Sequence, residues 1–194
     1  MDDYANYDAT GLAALVRKGD VSAGELLSEA VTRAEAAQKE LNCFSAMFPE
    51  VGEKQVAEGV PDGPFAGVPM ATKDLGFEIE GQPITNGSLA FKGNVATRNS
   101  VLCDRYKQAG FTLFGQTTSP EFGLTTTTES LLYGATVNPW DTSRTSRGSS
   151  GGASAAVAAN WLATAMLLGF ITLRSSRAIS GGNRPQPNRI PASP

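Results

Sequence analysis

Residues 147–159 read Arg-Gly-Ser-Ser-Gly-Gly-Ala-Ser-Ala-Ala-Val-Ala-Ala, a serine pair set between glycines that runs straight into an alanine-rich stretch. Alanine favours helix and glycine does not, so the junction reads as a helix entry. Hydroxyls and backbone N–H groups are displayed together there, on Gly148, Ser149 and Ser150. The 194-residue chain has no histidine. A serine that works here as nucleophile or proton carrier therefore cannot belong to a Ser-His-Asp triad, and lysine is the usual substitute base. Lys73, in the segment Gly67-Val68-Pro69-Met70-Ala71-Thr72-Lys73-Asp74, is the candidate.

Blander readings compete at each of these positions. A glycine–serine run is often a flexible linker, but an alanine-rich helix follows this one and the segment 140–144 precedes it, which argues for an ordered entry. Glycines ahead of a helix also cradle phosphate, yet the Gly-x-x-x-x-Gly-Lys-(Ser/Thr) spacing of such loops is missing. Lys73 beside Asp74 could be a surface ion pair. To accept a proton, Lys73 has to be neutral, which requires burial to bring it down from about 10.4. Val68, Met70 and Leu75 are apolar neighbours able to supply that desolvation.

The segment 67–74, then residues 117–123 (Thr-Thr-Ser-Pro-Glu-Phe-Gly), then residues 138–144 (Asn-Pro-Trp-Asp-Thr-Ser-Arg), then the serine–glycine run form an ordered series. It resembles the amidase signature family, whose members carry Gly-x-Pro-x-x-x-Lys-Asp, Thr-x-x-Pro-Glu-(Phe/Met)-Gly, Asn-Pro-Trp-(Asp/Asn)-x-x-Arg and Gly-Gly-Ser-Ser-Gly-Gly in that order. The resemblance runs from about residue 8 to 160. It implies an α/β fold, the N-terminal part of a mixed sheet flanked by helices, because family members are considerably longer. It also implies a carboxamide hydrolase in which Lys73 deprotonates Ser149, a bridging serine held by a cis peptide bond, and Ser149 relays the proton of a second, nucleophilic serine. Ser150, Gly148, Thr125 and Thr126 fall where relatives border the substrate cleft or support the bridging serine. Arg147 stands where relatives carry glycine, adding bulk beside that serine.

Composition sets the bounds. With 41% apolar residues the chain can bury one substantial core. Its net charge of −3, with charges interspersed, offers no footprint for nucleic acid. Cys43 and Cys103 make no metal or disulfide pattern and read as buried thiols. The implied chemistry needs no metal and no organic cofactor, only a small-molecule amide substrate. The acidic start, Met1-Asp2-Asp3-Tyr4, lacks the basic and apolar regions of a secretory signal, so a cytoplasmic protein is expected. Residues 155–173 approach the length of a membrane span, but Asn160, the threonines and the small alanines favour a buried segment of a soluble enzyme. Nothing in the sequence speaks to oligomeric state.

Along the chain, apolar spacing predicts a helix over 9–19. A second runs from the Ser22-Ala23-Gly24-Glu25 capping box to about Lys39, the two forming a hairpin. A strand is expected over 42–48, a short helix over 50–58 and a loop at 61–64. Beyond these come a strand over 68–72 that delivers Lys73, a helix over 98–110 and a strand over 111–115. The domain reading is 1–160 for the family-like portion and 161–194 for a divergent tail, frame-shifted or disordered, whose stretch from Gly181 has no periodic pattern.

The resemblance stops where the nucleophile belongs. Relatives carry a Gly-(Thr/Asn)-Asp-x-x-Gly-Ser-(Ile/Val)-Arg segment there; residues 164–173 read Thr-Ala-Met-Leu-Leu-Gly-Phe-Ile-Thr-Leu. Missing that hydroxyl and its oxyanion hole, the chain is expected to be inactive, since one oxyanion donor alone is worth ~10²–10³ in rate. Codons permitted for residues 163–168 spell His-Gly-Asp-Ala-Ala in a shifted frame, which points to compensating frame slips in the gene or its sequencing. Two other readings stay open, a non-catalytic remnant that binds or assembles and the glutaminase component of an aminoacyl-tRNA amidotransferase.

Overall fold

Helix capping sets the N-terminal architecture. The computed structural model describes residues 4–159 and the strand backbones at 164–167 and 170–173. Helix α1 (Ala9–Lys18) opens on Asp8, whose carboxylate accepts the Gly11 N–H at 2.8 Å, and closes on the Gly19 N–H. Helix α2 (Ala23–Leu41) begins with the expected capping box: Ser22 Oγ accepts the Glu25 N–H, and the Glu25 carboxylate accepts the Ser22 N–H at 2.9 Å. Its buried stripe is Leu26, Leu27, Ala30, Ala34, Ala37 and Leu41, at helical spacing. Asn42, left-handed at the end of α2, donates its amide to the carbonyls of Tyr133 and Ala135, tying the helix to a segment more than 90 positions away.

Strand β1 (Phe44–Met47), helix α3 (Pro49–Glu58), strand β2 (Pro69–Lys73), helix α4 (Val101–Gln108) and strand β3 (Thr112–Thr117) follow in the expected order. Helix α4 starts three residues later than its apolar pattern implies, because the Ser100 hydroxyl accepts the Cys103 N–H and fixes the boundary there. Next come two small hairpins, β4 (Glu129–Ser130) with β5 (Gly134–Ala135) and β6 (Val137–Asn138) with β7 (Asp141–Thr145). Helix α5 (Gly151–Ala158) and strands β8 (Thr164–Leu167) and β9 (Phe170–Leu173) complete the described chain.

Five strands form one sheet in the order β1-β3-β2-β8-β9. The three central strands, β3, β2 and β8, are parallel, while β1 and β9 are antiparallel to their neighbours, so the sheet is mixed and the fold is α/β as expected. Every residue of β2 and β3 is buried. A sheet covered on both faces needs apolar strands or satisfied polar ones. Here Thr117 Oγ1 donates to the Thr72 carbonyl at 2.9 Å, and Gln116 Nε2 to the Phe77 carbonyl at 3.3 Å. The core joins Leu12, Leu26 and Ala30 of the first two helices to Met70, Leu113 and Phe114 of the sheet and Ala153 and Ala156 of α5.

Two expectations fall partly on the C-terminal stretch. Helix α5 ends at Ala158 and the chain is extended again by Thr164, and among the described residues no helix is long and apolar enough to cross a membrane. The tail from Gly181 lies outside the described residues.

Candidate active site

Lys73 is the last residue of β2, the middle strand of the sheet, and its side chain is completely buried. Its Nζ donates to Ser149 Oγ at 2.8 Å and to Ser150 Oγ at 3.0 Å. Among the described residues no ion pair involves this ammonium. Burial without a compensating anion disfavours the charged form, and it pushes Lys73 down from 10.5 to about 8. The surface ion pair with Asp74 does not form.

Asp74 turns to a different set of partners. Its carboxylate, also buried, accepts the N–H groups of Thr85, Asn86 and Gly87 at 2.7, 3.2 and 3.3 Å, and the Thr85 hydroxyl as well. Its carbonyl accepts Ser119 Oγ at 2.9 Å. One residue beyond Lys73 thus clasps the loop at 85–87 and the end of β3 together. Sequence reasoning misses this clamp; its only signal is the turn-forming Thr85-Asn86-Gly87-Ser88.

The serine pair is presented by close backbone contact. The Gly148–Ser149 peptide bond is cis. The Gly148 N–H donates to the Thr126 carbonyl at 2.6 Å, and a Cβ on Gly148 would stand 2.9 Å from the carbonyl oxygens of both Thr125 and Thr127. Only glycine fits there. Thr125 and Thr126 therefore reach the site through their backbone, their side chains being exposed. Ser150 occupies the position before α5 where a hydroxyl ordinarily caps the helix, yet it makes no cap bond. Thr128 Oγ1 takes over, accepting the Gly151 N–H at 3.1 Å and donating to the Arg147 carbonyl at 3.2 Å. The Ser150 hydroxyl accepts instead from Lys73 Nζ at 3.0 Å.

Helix α5 then packs hard on the sheet. The Gly152 N–H donates to the Thr118 carbonyl, and a Cβ at Gly152 would lie 2.5 Å from the Cys43 carbonyl and from Thr118 N and Oγ1. Cys43 and Cys103 are free and buried, with burial raising their thiols to about 12 and about 11, which makes them poor nucleophiles. Among the described residues no group of His, Cys, Asp and Glu could hold a metal ion. The arrangement unites Lys73, Ser149, Ser150 and Gly148, with the backbone of 125–127 behind them. An amine near 8, in hydrogen-bond contact with a hydroxyl, is able to take that hydroxyl's proton at neutral to mildly alkaline pH.

A family model described as Amidase matches residues 25–166. The chain is 40% identical over 154 residues to the 6-aminohexanoate-cyclic-dimer hydrolase of Paenarthrobacter ureafaciens, a match covering 78% of this chain and 31% of that protein. To a glutamyl-tRNA(Gln) amidotransferase subunit from Acidothermus cellulolyticus it is 34% identical over 166 residues, 82% of this chain and 33% of the other. A solved structure of 6-aminohexanoate cyclic dimer hydrolase superposes with a TM-score of 0.78 and 38% identity, over 83% of this chain and 33% of that one. The chain thus spans about a third of the length of the curated relatives it matches. By the extent of the family match and the agreement of the fold, the chain belongs to the amidase signature family.

Proposed function

We propose that this chain carries the proton-transfer half of an amidase active site, with Lys73 as the base and Ser149 as the bridging serine in the hydrolysis of carboxamide C–N bonds. The observation that carries the reading is the 2.8 Å contact from Lys73 Nζ to Ser149 Oγ in a buried setting that brings Lys73 to about 8. In the forward step a nucleophilic hydroxyl gives its proton to Ser149 Oγ while the Ser149 proton passes to neutral Lys73, and the freed oxygen bonds to the carboxamide carbon. As the C–N bond breaks, the proton returns from Lys73 through Ser149 to the leaving nitrogen. Water, deprotonated along the same path, then releases the acid from the acyl ester. Ser150 holds the Lys73 amine, and Gly148 with the backbone at Thr125 and Thr126 fixes Ser149.

No described residue is assigned as the nucleophile, and residues 164–173 lack the family's Asp-x-x-Gly-Ser pattern. The 194 residues alone are therefore proposed to be inactive. The setting proposed is the cytoplasm, supported by two unpaired cysteines, with a small-molecule amide as substrate and, given the net charge of −3, no nucleic acid. The similarity to a glutamyl-tRNA(Gln) amidotransferase favours one second reading, ammonia release from glutamine.

The test starts with the coding DNA across codons 160–194 and beyond. The protein of the restored continuous frame is then assayed for ammonia release from 6-aminohexanamide and from glutamine. Lys73→Met and Ser149→Ala are expected to cost at least ~10²–10⁴-fold, and whichever amide is turned over identifies the branch. Undiminished turnover by Lys73→Met would overturn the reading. If the DNA confirms the present sequence, the reading predicts no turnover, and any role is one of binding or assembly.

A further inference from the structure

Ser149 is placed to form a bond as well as to pass a proton. It is only partly buried, whereas Lys73 and Ser150 beside it are buried. Lys73 Nζ lies 2.8 Å from Ser149 Oγ and 3.0 Å from Ser150 Oγ. A neutral amine has one lone pair and two N–H groups, so this nitrogen can take the Ser149 proton on its lone pair while one N–H stays on Ser150 Oγ. The second contact holds the nitrogen in place as its charge changes. A hydroxyl in contact with an uncharged amine is a nucleophile together with its base. Burial brings Lys73 to about 8, which frees the lone pair just above neutral pH.

The backbone around the serine decides which electrophile it suits. Attack on a carbonyl leaves negative charge on the carbonyl oxygen, and N–H groups near a helix start are an ordinary place to hold it. Three such donors beside Ser149 are already committed. The Gly148 N–H goes to the Thr126 carbonyl at 2.6 Å, the Gly151 N–H to Thr128 Oγ1 at 3.1 Å and the Gly152 N–H to the Thr118 carbonyl at 3.3 Å. A carboxamide needs its oxyanion held and its leaving nitrogen protonated, so that reaction stays closed to Ser149. An ester of an acidic phenol asks for less, because the phenolate departs without a proton.

We infer that Ser149, with Lys73 as its base, is itself an acyl acceptor, so that the 194-residue chain takes an acyl group from activated aryl esters. Ser149 Oγ bonds to the acyl carbon, the bond from that carbon to the phenol oxygen breaks, and the phenolate keeps the electron pair. The Ser149 proton rests on Lys73 Nζ and then passes to solvent. The inference rests on the Lys73–Ser149 contact of the amidase reading but gives Ser149 the bond-forming role.

The 194-residue chain is mixed with p-nitrophenyl acetate from pH 6 to 10, phenolate release is followed by absorbance, and the acetylated residue is located by peptide mass spectrometry, which also separates slow labelling of surface amines. The acetyl group is expected on Ser149, formed at a rate that rises through a midpoint near pH 8 and then levels off. Lys73→Met should slow the labelling at least ~10²-fold. The pH profile is read on the parent, so a variant that fails to fold leaves the test in place. Acetyl found on Lys73 Nζ or on Ser150 in place of Ser149 would overturn the inference, as would a rate that climbs steadily with pH and shows no midpoint near 8. If Lys73 titrates near 8 by NMR while Ser149 stays unlabelled, the inference fails and the relay of the amidase reading stands; a Lys73 midpoint above 10 sinks both.

Discussion

Replacing Lys73 with methionine should change stability in a way that depends on pH, and the dependence measures the cost of burying the ammonium. In the folded chain burial brings this lysine from 10.5 to about 8, with its side chain wholly inaccessible. At about 1.4 kcal/mol for each tenfold change in proton affinity, the displacement is worth about 3 kcal/mol. Between pH 8 and 10.5 the unfolded chain holds a proton on Lys73 that the folded chain has released, so the lysine's contribution to stability rises with pH across this window; below pH 8 the full cost is present. The thiols work in the opposite sense. Cys43 and Cys103 go up from 9.0 to about 12 and about 11, so the folded chain keeps protons that the unfolded chain loses, and stability falls above about pH 9. Comparing Lys73→Met with the parent at each pH cancels the cysteines. The lost hydrogen bonds to Ser149 and Ser150 and the gained methionine packing add a nearly constant offset. Urea unfolding followed by circular dichroism at pH 7, 8, 9 and 10 should show the variant's relative advantage shrinking by about 3 kcal/mol as pH rises toward 10.5. A difference that stays flat over that range would refute the claim that Lys73 is neutralised by burial.

Other consequences follow from the same contacts. Asp74→Asn puts an NH2 group in place of one carboxylate oxygen, facing either the N–H groups of Thr85 and Asn86 or that of Gly87, and should cost about 3 kcal/mol, seen as a lower urea midpoint; an unchanged midpoint would show that the loop at 85–87 is held by something else. Gly152→Ala drives a methyl into the Cys43 carbonyl and Thr118 and should cost about 3 kcal/mol, whereas Ser154→Ala, at an exposed position of the same helix, should cost under about 0.5 kcal/mol. With thiols raised to about 12 and about 11 and buried, neither cysteine should react with Ellman's reagent at pH 8 until urea is added; rapid native labelling of either would contradict its burial.

The parts of the fold that punctuate themselves were readable from sequence. The Ser22–Glu25 box, Gly19 and Gly110 mark element ends through local backbone chemistry, and the segments 68–72 and 111–115 read as strands because they are short runs set off by such signals. The pairing of Lys73 with the serine run was readable because a chain without histidine leaves few bases, and the two motifs stand in the order of a known family. Asp74 was not readable, since a carboxylate next to a lysine looks like its ion-pair partner. Successive residues of extended chain point to opposite sides, and here Lys73, at the end of β2, meets the serine pair ahead of α5 while Asp74, the next residue, meets the loop at 85–87. The helix cap supplied by Thr128, 23 positions before Gly151, is likewise a tertiary substitution that no local pattern announces. Hairpins β4–β5 and β6–β7 are built from strands of two to five residues that are mostly exposed, too short and too polar for alternation to register. The left-handed Phe122 defies residue preference altogether, as a position shaped by its neighbours does.

The most direct measurement is the titration of Lys73 itself. With lysine labelled at Cε and Nζ and Lys73→Met used to assign the signal, NMR across pH 6 to 12 should show a midpoint near 8 for this side chain. It should move when Ser149 is replaced by alanine, because the amine's hydrogen-bond partner is lost. A midpoint above 10, indifferent to Ser149, would mean a charged lysine that cannot take a proton from that serine, and would contradict the account at its centre.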